Sequence, residues 1–175
     1  MSEHALIAMS GGVDSSVAAW LIKEKGYQCS GAIMKLHDSS AAGSIPDAQS
    51  VADRMRIPFH VIDCTQEFKE KVMDTFVGCY ECGLTPNPCI ECNKHMKFGH
   101  FLSFAQSIGC RYIVTGHYAR IGWDDNTGEP RLCKALDESK DQTYFLYSLT
   151  QHQLAHTLFP LGGLTKEEAR EIAES

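Results

Sequence analysis

Within seven residues, Ser10-Gly11-Gly12-Val13-Asp14-Ser15-Ser16 gathers two glycines, one carboxylate and three hydroxyls. The chemistry available to such a set is oxyanion binding. Glycine has no Cβ, so the backbone can turn tightly and aim several N–H groups at one phosphate. The serine hydroxyls add donors of their own. An apolar run, Ala5–Met9, precedes the loop and reads as a buried strand, and Val17–Ile22 follows it as part of a helix. The loop therefore stands at a helix N-terminus, where unpaired N–H groups and a partial positive charge favour an anion. The ordinary phosphate loop ending in Gly-Lys-Ser/Thr is excluded, because this loop contains no lysine. A plainer reading is a helix start with Ser10 or Asp14 as its cap.

Cysteine is the second source of chemistry. Cys79, Cys82, Cys89 and Cys92 form two C-x-x-C pairs with six residues between them. Four thiolates suit zinc, although the usual separation of two pairs is about 15–20 residues. Cys89 and Cys92 lie in Thr85-Pro86-Asn87-Pro88-Cys89-Ile90-Glu91-Cys92-Asn93, where two prolines stiffen the chain. A helix is expected from Lys94, which would put Cys92 just before its N-terminus and beside a lysine. Both lower a thiol pKa and raise its reactivity. The alternative is a pair of small buried hydrophobes.

The elements that must hold these groups alternate along the chain. Strands are expected at Leu6–Met9, Gly31–Met34, His60–Ile62 and Tyr112–Thr115, each short and apolar or β-branched. Helices are expected at Asp14–Lys25, Ala48–Met55, Gln66–Cys79, Lys94–Ser107 and Lys166–Glu174. Asp47 is the expected cap of the second, and Thr165 with Glu168 forms a capping box for the last. Asp38–Pro46 reads as a mobile loop. Tyr118–Gly122 and Arg131–Ala135 read as a hairpin closed by the Asp-Asp-Asn-Thr-Gly turn. Such alternation argues for a doubly wound α/β parallel sheet with right-handed crossovers and a small antiparallel insert. Ligands on such sheets lie at the carboxyl ends of the strands.

With 175 residues and 43% hydrophobic content, the chain suits one globular domain. No window approaches a membrane span, so no membrane partner is expected. The first residues lack a basic lead and an apolar signal core, which suggests a cytoplasmic protein. Eight cysteines are then more easily metal-binding, catalytic or buried than disulfide-bonded. The net charge of −6 argues against a generally basic nucleic-acid binder. Between Asn93 and Arg120, however, stand Lys94, Lys97, Arg111, Arg120 and three histidines, with no acid. A local basic face on an acidic body can hold a polyanion.

Four motifs in order make the chain resemble a known family. They are Ser10–Ser16; Thr85-Pro86-Asn87-Pro88-Cys89-x-x-Cys92-Asn93-x-x-x-Lys97-Phe98; Thr115-Gly116-His117-Tyr118-Ala119-Arg120; and Lys140-Asp141-Gln142-x-Tyr144-Phe145-Leu146. This order is that of tRNA 2-thiouridylases of the MnmA/TrmU type, and the likeness runs on to Phe159-Pro160-Leu161-Gly162. Those enzymes carry the SGGxDS loop of the ATP pyrophosphatase group. The resemblance implies a Rossmann-like, adenine nucleotide alpha hydrolase (PP-loop ATPase) fold. It also implies an activity: ATP and Mg²⁺ adenylate O2 of the wobble uridine in tRNA, a cysteine persulfide delivers sulfur, and AMP leaves.

Carried over residue by residue, Ala8, Met9, Ser10, Gly11, Gly12, Val13, Asp14 and Ser15 would hold ATP phosphates. Met34 and Gly116 would also contact ATP. Asn87, Pro88 and Cys89 would face the target base, and Cys92 would be the nucleophile. His117, Lys140, Asp141 and Gln142 would contact tRNA. Tyr118, Tyr144 and Phe145 are candidates to stack on an extruded base, or equally core aromatics. The implied partners are tRNA and a persulfide sulfur-donor protein. No metal ligands are assigned, but the resemblance also suggests an iron–sulfur cluster held partly by Cys89 and Cys92.

Two departures stand out. Many relatives have Asp where this chain has Cys89. None of Cys29, Cys64, Cys110 and Cys133 matches the family's second catalytic cysteine. Residues 1–175 are accordingly expected to be the PP-loop catalytic domain of a longer protein, without the later tRNA-binding and β-barrel domains. Two other readings stay open: a different PP-loop enzyme that adenylates a small molecule, and a non-catalytic metal-binding module built on the cysteines.

Overall fold

Alternation in the first strand decides how the molecule is layered. In a computed structural model, which describes residues 3–37 and 41–174, strand β1 runs His4–Ala8. Ala5, Ile7 and Met9 enter one apolar core, whereas Leu6 and Ala8 enter another on the opposite face. A strand whose two faces are both buried is the mark of a sheet covered by helices on both sides.

The sheet is completed by β2 (Gln28–Lys35), β3 (Phe59–Asp63), β4 (Tyr112–Val114) and β7 (Thr157–Leu158). Its order is β3-β2-β1-β4-β7, and every pairing is parallel. The fold is thus the expected doubly wound sheet, with β1 and β4 flanking the point where the strand order reverses. The two-residue β7 was not foreseen, being too short to show periodicity. The insert is a hairpin of β5 (Arg120–Trp123) and β6 (Pro130–Cys133), shifted one to two residues toward the turn from the expected strands. Asp124 closes it by accepting from Asn126 N–H and Thr127 N–H at 2.8 and 2.9 Å.

One face is covered by helices α1 (Val13–Glu24), α2 (Ala41–Met55) and α8 (Lys166–Glu174). Residues 65–81 and 88–107 cover the other. The first of these segments is α3 (Thr65–Phe68), a π-helical turn (Lys69–Met73) and α4 (Asp74–Glu81). The second is α5 (Pro88–Glu91), a π-helical stretch (Cys92–His100) and α6 (Phe101–Ser107). Short helix α7 (Gln151–Ala155) leads into β7.

Two boundaries correct the sequence reading. Asp38–Pro46 is not wholly a loop: residues 38–40 lie outside the described residues, but α2 begins at Ala41 and contains Pro46. Asp47 is therefore inside the helix and not its cap. Packing wins over local propensity here, since Ile45, Ala48 and Ala52 all join the core. Likewise the helix expected from Lys94 begins six residues earlier, at Pro88. The capping box at Thr165 forms as expected: Thr165 N–H donates to Glu168 Oε2 at 2.7 Å and Glu168 N–H to Thr165 Oγ1 at 3.2 Å.

Candidate active site

The glycine loop leaves the carboxyl end of β1 and enters α1 with its amides open. Gly12 occupies the N-cap in extended backbone, and no side chain caps the helix. Neither Ser10 nor Asp14 serves as the cap. Ser10 Oγ accepts from Gly12 N–H at 3.4 Å, and Ser15 Oγ donates to Gly12 O at 2.9 Å. The hydroxyls thus brace the loop, while the first-turn amides of α1 keep their donor capacity. Gly11 takes φ +76°, and a Cβ there would lie 2.8 Å from Asp47 Cβ on α2. The loop is pinned against α2 at this glycine.

A cleft of about 420 Å³ opens beside the loop, a size typical of a small-molecule site. Seven of the expected nucleotide contacts line it. Ala8 and Met9 come from the end of β1, Ser10 from the loop and Asp14 and Ser15 from α1; Met34 is on β2 and Gly116 follows β4. Gly11, Gly12 and Val13 form the turn outside its lining. A Cβ on Gly116 would stand 3.0 Å from the Asp14 backbone carbon, so only glycine lets the β4 loop approach α1 this closely. Asp14 accepts from Tyr118 Oη at 3.2 Å and is ion-paired with Lys166 of α8. That engagement buries Tyr118, which is therefore not available to stack on a base.

His117 and Gln142, expected on tRNA, also line the cleft. His117 Nδ1 is 2.8 Å from Thr115 Oγ1, and its ring packs against Phe98 and Phe159. Burial, helped by the Lys97 ammonium, pushes its pKa down to about 3, so the imidazole is neutral at physiological pH. Gln142 Oε1 accepts from Tyr118 N–H at 2.9 Å. Asp141 faces its own chain, accepting from Ala135 N–H and the Thr143 hydroxyl. Burial raises the Asp141 carboxyl, but these hydrogen bonds outweigh it and hold the group below its ordinary value. Lys140 is exposed.

Lys97, a member of the basic stretch 93–120 and of the second motif in the sequence, is carried to the cleft wall by the fold. It follows Cys92 by five residues in the same π-helical stretch. The i→i+5 bonding of a π-helix brings such residues close to one face, and such stretches recur at functional sites.

The expectation for Cys92 itself is corrected. Because the helix begins at Pro88, Cys92 lies more than a turn inside it, and Cys89 occupies the first turn. Asn87 is the N-cap, accepting from Cys89 N–H at 3.1 Å. Cys92 is half-buried, and burial pushes its thiol up from the ordinary value; Lys97, and not Lys94, is the cation that opposes this. Alkylation of Cys92 by iodoacetamide, followed by mass spectrometry, is expected to be slower at pH 7 than that of a free thiol and to go on gaining rate to a higher pH, since the thiolate reacts. A rate equal to that of a free thiol at pH 7 would contradict this environment.

The four-cysteine zinc site is not formed: among the described residues no three His, Cys, Asp or Glu side chains gather as a metal site. Nor do the basic residues of 93–120 make one face. Arg111 precedes β4 at the opposite end of the sheet and pairs with Glu3, whereas Lys97 is at the cleft. No helix among the described residues is long and apolar enough to cross a membrane.

Comparison with known proteins bears on the same segments. The chain is 48% identical over 184 residues to the tRNA-specific 2-thiouridylase MnmA of Clostridioides difficile, covering 99% of this chain and 51% of that protein. It is 47% identical over 177 residues to the MnmA of Tolumonas auensis, covering 97% and 47%. The chain thus spans about half the length of the curated relatives it matches. Among solved structures, a 4-thiouridine synthetase–RNA complex with bound ATP superposes with TM-score 0.70 at 17% identity, covering 98% of this chain and 40% of that one. A predicted tRNA methyltransferase subunit from Methanocaldococcus jannaschii gives TM-score 0.59 at 18% identity, covering 98% and 74%. At such identities these two show the shared fold alone. A family model described as the tRNA methyl transferase HUP domain matches residues 3–175, and the chain belongs to that family.

Proposed function

We propose that this chain is the ATP-binding, adenylating domain of a tRNA 2-thiouridylase working in the cytoplasm. One juxtaposition carries the reading: helix 88–107 holds Cys92 and, five residues on, a lysine that reaches the cleft beside the glycine loop. ATP phosphates would rest on the loop amides and on the Ser10 and Ser15 hydroxyls, with Met34 and Gly116 on the nucleotide. Magnesium carried in with the nucleotide would neutralise phosphate charge. The O2 of the target uridine attacks the α-phosphorus, the bond to the bridging oxygen breaks, and pyrophosphate leaves. Sulfur from a protein persulfide then attacks C2, and AMP departs with the former O2.

In this scheme Asn87, Pro88 and Cys89 present the base to Cys92, whose thiolate attacks the donor cysteine's sulfur in the C2–S–S–donor adduct; that S–S bond breaks, the outer sulfur stays on C2 as the thiocarbonyl, and a Cys92–donor disulfide is left for an external thiol to reduce. Lys140 contacts tRNA on the outside, Asp141 shapes its loop, and His117 and Gln142 bridge cleft and RNA. Cys89 and Cys92 would offer two of the thiolates that an iron–sulfur cluster needs.

The test is pyrophosphate release. Release that needs a tRNA with uridine at the wobble position supports the proposal. Release with small-molecule acceptors and no tRNA would replace it with another adenylating activity. Gly11→Val is expected to weaken ATP binding by about 100-fold or more in calorimetry, because it combines left-handed backbone with a collision at Asp47. Gly12→Val should do less, since its Cβ would meet only Ser10 Oγ at 3.4 Å. Wild-type affinity in Gly11→Val would refute the loop as the phosphate site.

A further inference from the structure

Tyr144 and Tyr147 are 67% and 68% exposed, yet they stand on a rigid base. They belong to a 3₁₀ turn, Thr143–Leu146, and the residue after it. Fully buried Leu146 anchors the turn from below. Asn93, the neighbour of Cys92, is buried and donates through Nδ2 to Phe145 O at 3.0 Å. On the other side Gln142 N–H donates to Tyr118 O at 2.9 Å, while the Gln142 side chain lines the cleft. The turn is thus fixed between the cleft and the cysteine helix. Its rings hold one another: Tyr144 meets Phe145 edge-on at 5.6 Å and Tyr147 at 6.5 Å.

We infer that Tyr144 and Tyr147 form a stacking platform for unpaired nucleobases of an RNA loop next to the base that enters the site. This rests on the tRNA reading above. Two large amphipathic rings held in water beside a reactive centre match how single-stranded nucleic acid is gripped, since every base offers a π-face. Lys94 is exposed directly after Asn93, and Lys140 is exposed two residues before Gln142, where both suit the flanking phosphates. A second exposed ring pair, Phe76 with Tyr80, lies on α4. It is bracketed by Asp74 and Glu81, which repel a polyanion, and serves as the internal control.

The experiment measures, at low salt, the affinity of the full chain for an RNA stem–loop with an unpaired loop and for a blunt duplex of the same stem. Tyr144→Ala with Tyr147→Ala is expected to weaken stem–loop binding about tenfold or more, with duplex binding and ATP binding unchanged. Replacement of both by Phe should restore stem–loop binding, and Tyr80→Ala should have no effect. Photo-crosslinking of an iodouridine-substituted loop should map to Tyr144 or Tyr147. Stem–loop affinity within twofold of wild type in the alanine pair, or crosslinks that map to Phe76 and Tyr80, would overturn the platform alone. A wild-type chain that binds ATP but no RNA of either form would overturn the tRNA reading and the platform with it.

Discussion

Lys97→Ala is expected to slow adenylation by about 100-fold or more while leaving the melting temperature close to that of the wild type. The loop that would hold the phosphates has no lysine, so a cation for the charge developing at phosphorus has to come from elsewhere. Lys97 reaches the cleft wall from the opposite helical layer. Removing one preorganised stabiliser of such charge typically costs about 10²–10³ in rate. The side chain is only half-buried, so its loss leaves little cavity.

A second signature separates this role from a structural one. The Lys97 ammonium lowers the Cys92 thiol against the larger effect of burial, and it also depresses His117. In Lys97→Ala both groups should titrate at higher pH, visible as a shift of the Cys92 alkylation profile and of the His117 imidazole resonance. Lys97→Arg keeps the charge and should keep both titrations near wild type. Turnover within about twofold of wild type, with neither titration moved, would remove Lys97 from the mechanism.

Gly162→Ala is expected to destabilise the protein by about 3 kcal/mol, the upper range for forcing atoms into a packed interior. Gly162 lies in the 3₁₀ turn Pro160–Gly163, and a Cβ there would sit 1.8 Å from Ala119 O and 2.6 Å from Ala119 C. Those are buried backbone atoms leading into β5, so no flexible side chain can yield. The same glycine accepts from Leu136 N–H at 2.9 Å, which ties the chain beyond the hairpin to the end of the sheet. For a chain of this length the loss corresponds to a fall in melting temperature of roughly 6–12 °C. Gly163→Ala is the control, because its Cβ would meet nothing within 4 Å. Scanning calorimetry that finds Gly162→Ala and Gly163→Ala alike would refute the close packing.

Local information carried the sheet and the loop. β1 is legible because Ala5–Met9 is apolar at every position, which only a strand buried on both faces requires. The glycine loop is legible because its donors are backbone amides and adjacent hydroxyls, all within seven consecutive residues. Caps read well for the same reason at Thr165–Glu168, where both partners lie in one turn.

Contacts between distant segments were decided by tertiary structure alone. Helix 88–107 starts at Pro88, where Asn87 caps it locally and Ile90 and Met96 bury their side chains, and that early start puts Cys92 in a half-buried position with its thiol raised and not at a helix end. Pro46 sits inside α2 because the residues around it pack onto the glycine loop and the core. Tyr118, an apparent stacking residue, is spent on Asp14, 104 positions away. Lys97 reaches the cleft and Lys166 reaches Asp14 from helices far along the chain, and no local pattern marks a lysine whose role depends on where its helix lands. Sequence periodicity reports which face of an element is buried; the fold alone sets which charges then meet.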